Sequence, residues 1–273
     1  MKVAVLGSGS AGNSTLVAVG ETRVLVDAGF SGKDLARRLG LLGFEPSDIT
    51  AIVVTHDHQD HTRGAGIFAR RHGTPVYITD ATRTACSKVF RGGETTRSYR
   101  VGRPFEIGPV RVEPFLTVHD AVDPVAIALI DIETEARVGV ATDLGRPTAQ
   151  VLHALSGSDF LILEANHDDT LLRTGPYPWS VKQRIASSHG HLSNQAAARF
   201  ACELLHPRLA GVLLAHLSEA CNRPELAYDV VGAALEKAGY RGYLAVAPQS
   251  EPTALIDIEE LRRRTGPAQL TFI

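Results

Sequence analysis

Cysteines and long apolar runs are both scarce in this 273-residue sequence. Its three cysteines, Cys86, Cys202 and Cys221, are widely spaced and odd in number, so neither a disulfide framework nor a CxxC zinc or redox site is indicated. No window of about 18 uninterrupted apolar residues is present, and we therefore predict no transmembrane helix. The first strand-like run starts at Lys2, which leaves no room for a signal or transit peptide, so we expect a cytoplasmic protein.

Charge of one sign is also lacking over most of the chain. The formal net charge is −2, which argues against a protein that coats nucleic acid. Hydrophobic residues make up 44% and charged residues 21%, a balance that argues against disorder, collagen and coiled coil. One segment departs from this balance, because six cations between Arg83 and Arg103 face the single acid Glu94. This segment is either a solvated face or a track for a phosphate backbone.

The hydrophobic pattern predicts strands and helices that alternate without a low-complexity linker. Runs rich in β-branched and apolar residues predict strands at 3–6, 15–19, 23–26, 51–55, 75–78, 105–107, 110–118, 125–130, 136–141, 160–163 and 211–215. Helical spacing predicts helices after Ser31 and at 62–71, 147–155, 193–205 and 224–238. We predict one domain over residues 1–273, with two mixed sheets covered by helices.

A glycine-rich stretch, GSGSAG at residues 7–12, matches the dinucleotide-binding pattern G-x-G-x-x-G. Asp27 stands twenty residues after Gly7, where that pattern expects an acid for the ribose. The fingerprint requires the glycines to open a helix, whereas NSTLVAVGETRVLVD predicts a strand, a turn and a second strand. We therefore predict no nicotinamide or flavin cofactor.

The chemistry concentrates in THDHQDH, residues 55–61, at the end of a buried strand. His56 and His58 share a face of the extended chain end, because side chains two residues apart point the same way. Asp60 and His61 come from the start of the following helix. Four groups that bind zinc, manganese or iron(II) therefore converge within seven residues.

The pattern H-x-H-x-D-H after a buried strand resembles the metallo-β-lactamase superfamily. That family also places acids and histidines at other strand ends, and matching residues stand here in the same order. Asp27 follows RVLV, His119 follows FLTV, Asp143 follows VGVAT and His216 follows GVLLA. The resemblance covers nearly the whole chain and implies an α/β fold, the four-layer αββα sandwich.

The resemblance also implies a set of ligands for two divalent metal ions, Zn²⁺ or Mn²⁺. One ion would be held by His56, His58 and His119, and the other by Asp60, His61 and His216. Asp143 would bridge the two ions, and Asp27 would lie behind the ligands and orient the histidine loop. Such a centre hydrolyses its substrate with a metal-bridging hydroxide, which makes the ligand Asp60 a catalytic residue as well.

The choice among hydrolases depends on the later motifs. HGHLSN before a helix, together with His216-Leu217-Ser218, resembles the phosphodiesterase branch, and Asp143 replaces the Cys of true β-lactamases. GSGSAGNST, EANHD, GPYPWSVKQRI, GHLSN and HLSEACNRPELA together are similar to the WalJ/YycJ-type family of single-domain exonucleases. This resemblance implies a nuclease, acting on DNA with 5′ to 3′ polarity, and a nucleic acid partner.

Several residues are candidates for contact with the substrate. His191 is predicted to be the general acid that protonates the leaving oxygen, or a clamp on the phosphate. Asn13 either orients a neighbour or touches substrate, and His167 either lines the site or holds a loop. Ser193 and Asn194 either contact substrate or cap the helix that follows them.

Two other function classes stay open at this stage. The first is a small-molecule hydrolase of the same fold, acting on cyclic phosphodiesters or lactones, with a small pocket and no affinity for oligonucleotides. The second is a nucleotide-dependent regulatory or dinucleotide-binding module. A complete set of seven metal ligands argues against a scaffold without catalysis. No membrane partner is predicted.

Overall fold

The computed structural model describes residues 1–265 and contains two seven-stranded sheets. The strands are β1 (Lys2–Gly7), β2 (Ser14–Val19), β3 (Thr22–Val26), β4 (Ala51–Val53), β5 (Val76–Ile78), β6 (Thr96–Ser98), β7 (Phe105–Ile107), β8 (Val110–Leu116), β9 (Val125–Asp131), β10 (Arg137–Ala141), β11 (Phe160–Glu164), β12 (Gly211–Ala215), β13 (Tyr243–Val246) and β14 (Ile256–Asp257). The helices are α1 (Gly32–Leu41), α2 (Gln59–Thr62), α3 (Ala65–His72), α4 (Asp80–Ala85), α5 (Ala149–Leu155), α6 (Asp169–Thr174), α7 (Trp179–Ile185), α8 (Asn194–Glu203), α9 (Pro224–Lys237) and α10 (Ile258–Thr265).

Each sheet contains a run of parallel strands. The first sheet has the order β14-β1-β2-β3-β4-β5-β6, and β3 to β6 are parallel to one another. The second has the order β13-β12-β11-β10-β9-β8-β7, and β10 to β13 are parallel. The carboxyl ends of parallel strands meet at one edge of a sheet, so side chains that follow these strands are brought together.

The sheets pack face to face and are covered by helices on their outer sides. Apolar side chains of both sheets, such as Val26 and Leu129, form the core between them. On the outer face of the first sheet, α1 and α3 bury Leu35 and Phe68. On the outer face of the second sheet, α5, α8 and α9 bury residues such as Phe200. This arrangement confirms the predicted four-layer αββα sandwich.

Most predicted elements are present, and the differences have local causes. The helix predicted over 62–71 is broken between α2 and α3 at Gly64. A Cβ at Gly64 would lie 2.0 Å from the carbonyl oxygen of Phe30, and the Gly64 N–H donates to Ala28 O at 2.8 Å. The strand predicted over 51–55 ends at Val53, because the Thr55 backbone N–H and hydroxyl donate to the Asp27 carboxylate.

The glycine-rich loop joins β1 to the antiparallel β2, with no helix after the glycines. The sequence-based expectation that its glycines pass close to the metal centre is not what the structure shows. Gly9, with φ +150°, packs against Gln249, while Gly7 and Gly12 pack against Arg38 and Phe30. The loop thus anchors the amino-terminal hairpin to neighbouring elements. Within residues 1–265, none of the helices combines the length and apolar character that a bilayer crossing requires.

Candidate metal centre

Chemically active side chains follow the carboxyl ends of strands in both sheets. In the first sheet Asp27 follows β3 and His56 lies beyond β4. In the second sheet Asp143 lies beyond β10, Glu164 ends β11 and His216 directly follows β12. Because each set of strands is parallel, these groups lie at the same edge of the sandwich and face one another across it.

Three of these residues have a left-handed backbone conformation. The φ angles are +63° at Asp27, +57° at Asp143 and +56° at His216. Positive φ is uncommon outside glycine, although Asp and His adopt it more readily than most residues, and such strain concentrates at functional sites. Each strand therefore ends in a sharp local turn at the residue whose side chain enters the cluster.

The structure brings the seven predicted ligands into overlapping groups of potential metal-binding atoms. The atoms of each group lie within 4.8 Å of one another. The groups are His56, His58, His119 and Asp143; Asp60, His61 and His216; and Asp143, Glu164, His191 and His216. The first two groups match the two ligand sets that the resemblance implies.

Asp143 lies between the two sets of ligands. Its Oδ2 is 3.0 Å from His61 Nε2, a contact without hydrogen-bond geometry. Its Oδ1 is 3.5 Å from His119 Nε2 and 3.5 Å from His216 Nδ1. A carboxylate in this position can offer one oxygen to each side, which is the geometry that a bridging ligand needs.

Most of the histidines are held by one ring nitrogen and present the other to the cluster. His61 Nδ1 is 2.7 Å from Asp27 Oδ2, and His119 Nδ1 is 3.1 Å from Gly190 O. His56 Nδ1 is 2.9 Å from the Thr55 hydroxyl oxygen. An N–H at these positions donates outward, which leaves the inner nitrogen free to bind a metal and fixes the direction of the ring.

Three buried polar atoms in the cluster have no hydrogen-bond partner within the described chain: His56 Nε2, His216 Nε2 and Asp143 Oδ2. Buried polar atoms are normally hydrogen-bonded, so unpaired ones need a specific explanation. Burial lowers the pKa of His56 well below its usual value, which keeps this imidazole in the neutral form that ligates metals. The donor set therefore fits divalent cations.

The carboxylates give the cluster a strong attraction for positive charge. Burial alone would lower the pKa of His61, but Asp143 and Asp27 outweigh it and raise that pKa well above its usual value. Burial opposes the charged form of His216 too, yet Asp143 and Asp60 help to raise its pKa to about 10. Burial would raise the pKa of Asp143, but His216 and His61 hold it well below its usual value. A divalent cation would compete with protons for these nitrogens.

Asp27 and Asn13 lie behind the ligands. Asp27 accepts hydrogen bonds from the Thr55 N–H and hydroxyl, both at 2.8 Å, as well as contacting His61. Asn13 Nδ2 donates to Asp60 Oδ2 at 3.1 Å, and its Oδ1 accepts from the Ser8 hydroxyl at 2.9 Å. Asn13 is buried, so of its two predicted roles the structure shows the one of orienting a neighbour.

Glu164 is the residue that sequence reasoning missed. Its Oε1 lies 2.8 Å from Nδ1 of both His191 and His216. Its Oε2 accepts from the backbone N–H of Leu144 at 2.9 Å and of Leu192 at 3.0 Å. Burial would raise the pKa of Glu164, but these imidazoles outweigh it and lower the pKa to about 2. One buried carboxylate therefore orients both histidines.

A signal for Glu164 was available in the sequence. The acid closes the apolar strand FLILE, in the same relation to β11 that Asp143 and His216 have to their own strands. Glu164 is paired in register with Ala215, directly before His216. The partners themselves were not readable, because His191 and His216 are 27 and 52 residues away.

The remaining predicted substrate residues have different surroundings. His191 lies on the open side of the cluster, with its side chain 21% exposed and its ring centroid 5.2 Å from those of His119 and His216. The other predicted contacts do not line the cavity at the cluster, and the structure gives them structural roles instead.

These structural roles are specific. The Ser193 hydroxyl caps α8 by accepting from the Ala196 N–H. The side chain of Asn194 is buried and exchanges hydrogen bonds with that of Asn222 at 2.8 and 2.9 Å. His167 is buried and holds a loop, since its carbonyl accepts from the Asn194 N–H at 2.8 Å.

A cluster of histidines and carboxylates at the edge of an αββα sandwich defines the class of metal-dependent hydrolases. A family profile described as "Beta-lactamase superfamily domain" matches residues 22–216. The chain belongs to this family.

Curated relatives extend the match over most of the chain. It is 35% identical over 238 residues to exodeoxyribonuclease YycJ of Bacillus anthracis, which covers 86% of this chain and 89% of the relative. It is also 35% identical over 231 residues to exodeoxyribonuclease WalJ of Streptococcus pneumoniae, with 83% and 85% covered. Among solved structures, the metallo-β-lactamase fold protein YhfI from Bacillus subtilis aligns with a TM-score of 0.71 at 20% identity, covering 92% of this chain and 98% of that one. The protein is therefore a metal-dependent hydrolase of the β-lactamase superfamily.

Proposed function

We propose that this protein is a binuclear metal-dependent nuclease that degrades DNA as an exonuclease in the 5′ to 3′ direction. The observation that carries the proposal is the pair of ligand groups that share Asp143, in a chain that matches exodeoxyribonucleases over most of its length. Both the relatives and the cluster identify a metal-dependent nuclease. The DNA substrate, the polarity and the number of ions are the proposed refinements. We also propose that residues 1–273 form one domain and that the protein acts in the cytoplasm.

The residues of the cluster have distinct roles in this proposal. His56, His58 and His119 would hold one cation, Asp60, His61 and His216 the other, and Asp143 both. Zn²⁺ or Mn²⁺ at these positions would supply an activated water nucleophile and stabilise negative charge on the attacking and leaving oxygens.

The leaving oxygen needs a proton, and His191 is placed to supply it. Glu164 accepts the hydrogen bond of His191 Nδ1, so the other ring nitrogen, Nε2, faces the cavity. Burial lowers the pKa of His191, but the charge of Glu164 outweighs it and raises that pKa. An imidazole that is protonated and fixed in direction can act as general acid towards the leaving oxygen.

Digestion of end-labelled single- and double-stranded DNA and RNA, with added Mn²⁺ or Zn²⁺, tests the proposed function. We expect mononucleotides to be released progressively from the 5′ end of DNA. Release from the 3′ end would contradict the polarity, and preferential cleavage of RNA would contradict the substrate. If neither metal supports cleavage of any polymer, the small-molecule hydrolase becomes the better explanation.

Replacement of Glu164 by Gln is expected to impair both metal binding and the acid step. The amide cannot accept two imidazole N–H groups as the carboxylate does, so we expect kcat/KM to fall roughly 10- to 100-fold. Removal of the negative charge also lowers the pKa of His191, and a general acid must be protonated to act. The alkaline limb of the pH–rate profile should therefore move to lower pH.

Metal analysis and pH–rate profiles of purified Glu164→Gln check this prediction. A matched control is Glu113→Gln, which removes a half-buried carboxylate that pairs with Arg137 at 3.0 Å away from the cluster. The control should retain the wild-type profile. An unshifted alkaline limb together with full metal content in Glu164→Gln would argue against the orienting role of this carboxylate.

The basic segment, residues 83–103, supports a polyanionic substrate. Its one acid, Glu94, pairs outside the segment with Arg70 at 2.7 Å. Tyr99 donates from its hydroxyl to Val54 O at 2.7 Å, and Cys86 Sγ lies 3.5 Å from Asp57 O, so the segment borders the metal-binding loop. Within residues 1–265, no carboxylate forms an ion pair with any of its six exposed cations: Arg83, Lys88, Arg91, Arg97, Arg100 and Arg103.

Removal of two of these cations should weaken DNA binding in a salt-dependent way. For the double variant Lys88→Gln and Arg100→Gln, we expect the slope of log affinity against log salt to fall by about 2, one per lost phosphate contact. Anisotropy titrations of a labelled single-stranded oligonucleotide in EDTA measure that slope without cleavage. The matched control, Arg199→Gln with Lys237→Gln, removes exposed cations of α8 and α9. Equal changes in the two double variants would disprove a role for the segment.

A further inference from the structure

A cavity of about 300 Å³ opens at the metal cluster, and one face of α7 forms part of its wall. Val181, Arg184 and Ile185 line it, and their spacing of three and four residues places them on the same side of the helix. His191 and Asp143 line the same cavity. A substrate phosphate at the cluster therefore lies beside this helix face.

Arg184 is the only lysine or arginine that lines this cavity in the part of the chain that the structure describes. Its neighbours there include three carboxylates, those of Asp60, Asp120 and Asp143. A nucleic acid strand carries one negative charge per nucleotide, so phosphates next to the cleaved one are repelled by uncompensated carboxylates. The guanidinium of Arg184 is the group at this wall that can offset that repulsion.

The guanidinium of Arg184 is anchored at one nitrogen and free at the others. Its Nε donates to the carboxylate of Asp120. The two terminal nitrogens make no hydrogen bond to any residue between 1 and 265, and the side chain is 66% exposed. An exposed ion pair of this kind contributes little to stability, so its main effect is to fix the direction of the guanidinium. The free N–H groups retain the fork that matches a phosphate.

The backbone holds the end of α7 directly against His191. The His191 N–H donates to Ile185 O at 2.9 Å. Gly190 makes this approach possible, because a Cβ there would lie 2.2 Å from the carbonyl oxygens of both Arg184 and Ile185. Arg184 is therefore held at a fixed position next to the proposed general acid.

We propose that Arg184 binds a non-bridging oxygen of a backbone phosphate adjacent to the scissile one, and that Asp120 is a positioning residue for its guanidinium. The inference rests on the proposed nuclease function, which supplies a substrate with neighbouring phosphates. It adds a substrate contact on α7, where the sequence indicated none at this residue.

A set of oligonucleotides that each carry one neutral methylphosphonate, with the scissile phosphate left intact, tests this contact. In the wild-type protein, one position adjacent to the cleaved bond should reduce kcat/KM roughly 10- to 100-fold, the effect of losing a charged hydrogen bond. Arg184→Ala should lose a similar factor on the all-phosphate strand. It should then lose nothing more at that position, because the two changes remove the same interaction.

Two further variants separate binding from a structural role. Gln183→Ala changes an exposed residue of α7 that does not line the cavity, and it should retain the wild-type sensitivity to the methylphosphonate. Asp120→Asn should retain part of the sensitivity, since the guanidinium stays but loses its anchor. If the ion pair only stabilised the fold, Asp120→Asn would lower the melting temperature and leave the position-specific loss unchanged.

The outcomes distinguish this inference from the proposed function. If the wild-type protein cleaves none of the oligonucleotides, the nuclease function itself is wrong. If it cleaves them and Arg184→Ala is as sensitive to the methylphosphonate as the wild type, only the assignment of Arg184 is wrong.

Discussion

Asp143→Asn is expected to reduce kcat by at least about 10³-fold, because the loss of a ligand between two cations removes several kcal/mol of stabilisation of the transition state. Asn adopts positive φ readily, so this change preserves the backbone at φ +57°, whereas Ala would add strain. The neutral amide holds cations weakly, and the purified variant should therefore contain less metal than the wild type. Elemental analysis and single-turnover digestion of labelled DNA measure the two effects.

The control for Asp143→Asn removes a carboxylate of the same size from the surface. Asp229 is exposed on α9, and Asp229→Asn should match the wild type in metal content and in rate. His56→Ala should resemble Asp143→Asn, because it deletes an imidazole of the first ligand group. A wild-type turnover rate with full metal content in Asp143→Asn would contradict the assignment of this residue as a shared ligand.

His191→Ala is expected to lower kcat by about 10²- to 10⁴-fold while the metal content stays at the wild-type level. The imidazole faces the cavity and lies beyond the two predicted ligand sets, so its removal leaves those ligands in place. A phosphodiester with a p-nitrophenolate leaving group needs no proton on departure. If His191 acts as the general acid, the loss on that substrate should be much smaller than on DNA.

The two substrates also separate an acid from a clamp on the phosphate. An equal loss on both would indicate that His191 contacts the phosphate and does not protonate the leaving oxygen. His153→Ala is the control, because His153 is exposed on α5 and remote from the cluster. A wild-type rate for His191→Ala on DNA would remove this residue from the mechanism.

The strand ends explain why so much of the candidate site was visible in the sequence. H-x-H-x-D-H is a local pattern, and an apolar strand that ends in Asp or His is readable without knowing its neighbours. Asp143 and His216 were found in this way, and the αββα architecture followed from the order of strands and helices. Elements with a weak periodic signal, such as the short helices α4, α6 and α7, were not found.

Glycines and polar side chains far apart in sequence were the harder cases. The neighbours of Gly7, Gly9 and Gly12 come from distant segments, so the expectation that these glycines approach the metal centre was wrong. Ser193 and Asn194 carried two interpretations, and the packing of α8 decided for a cap and a buried amide pair.

The sequence by itself determined the types and order of the metal-binding residues, because each stands at the end of a strand that its own neighbours specify. Only the tertiary structure decided which groups share a partner. Glu164 reaches His191 and His216 because β10, β11 and β12 lie side by side, and Arg184 meets Asp120 because the Gly190 backbone lets α7 approach the cluster. Such pairings depend on strand order and close packing between remote segments, which no local pattern of residues encodes.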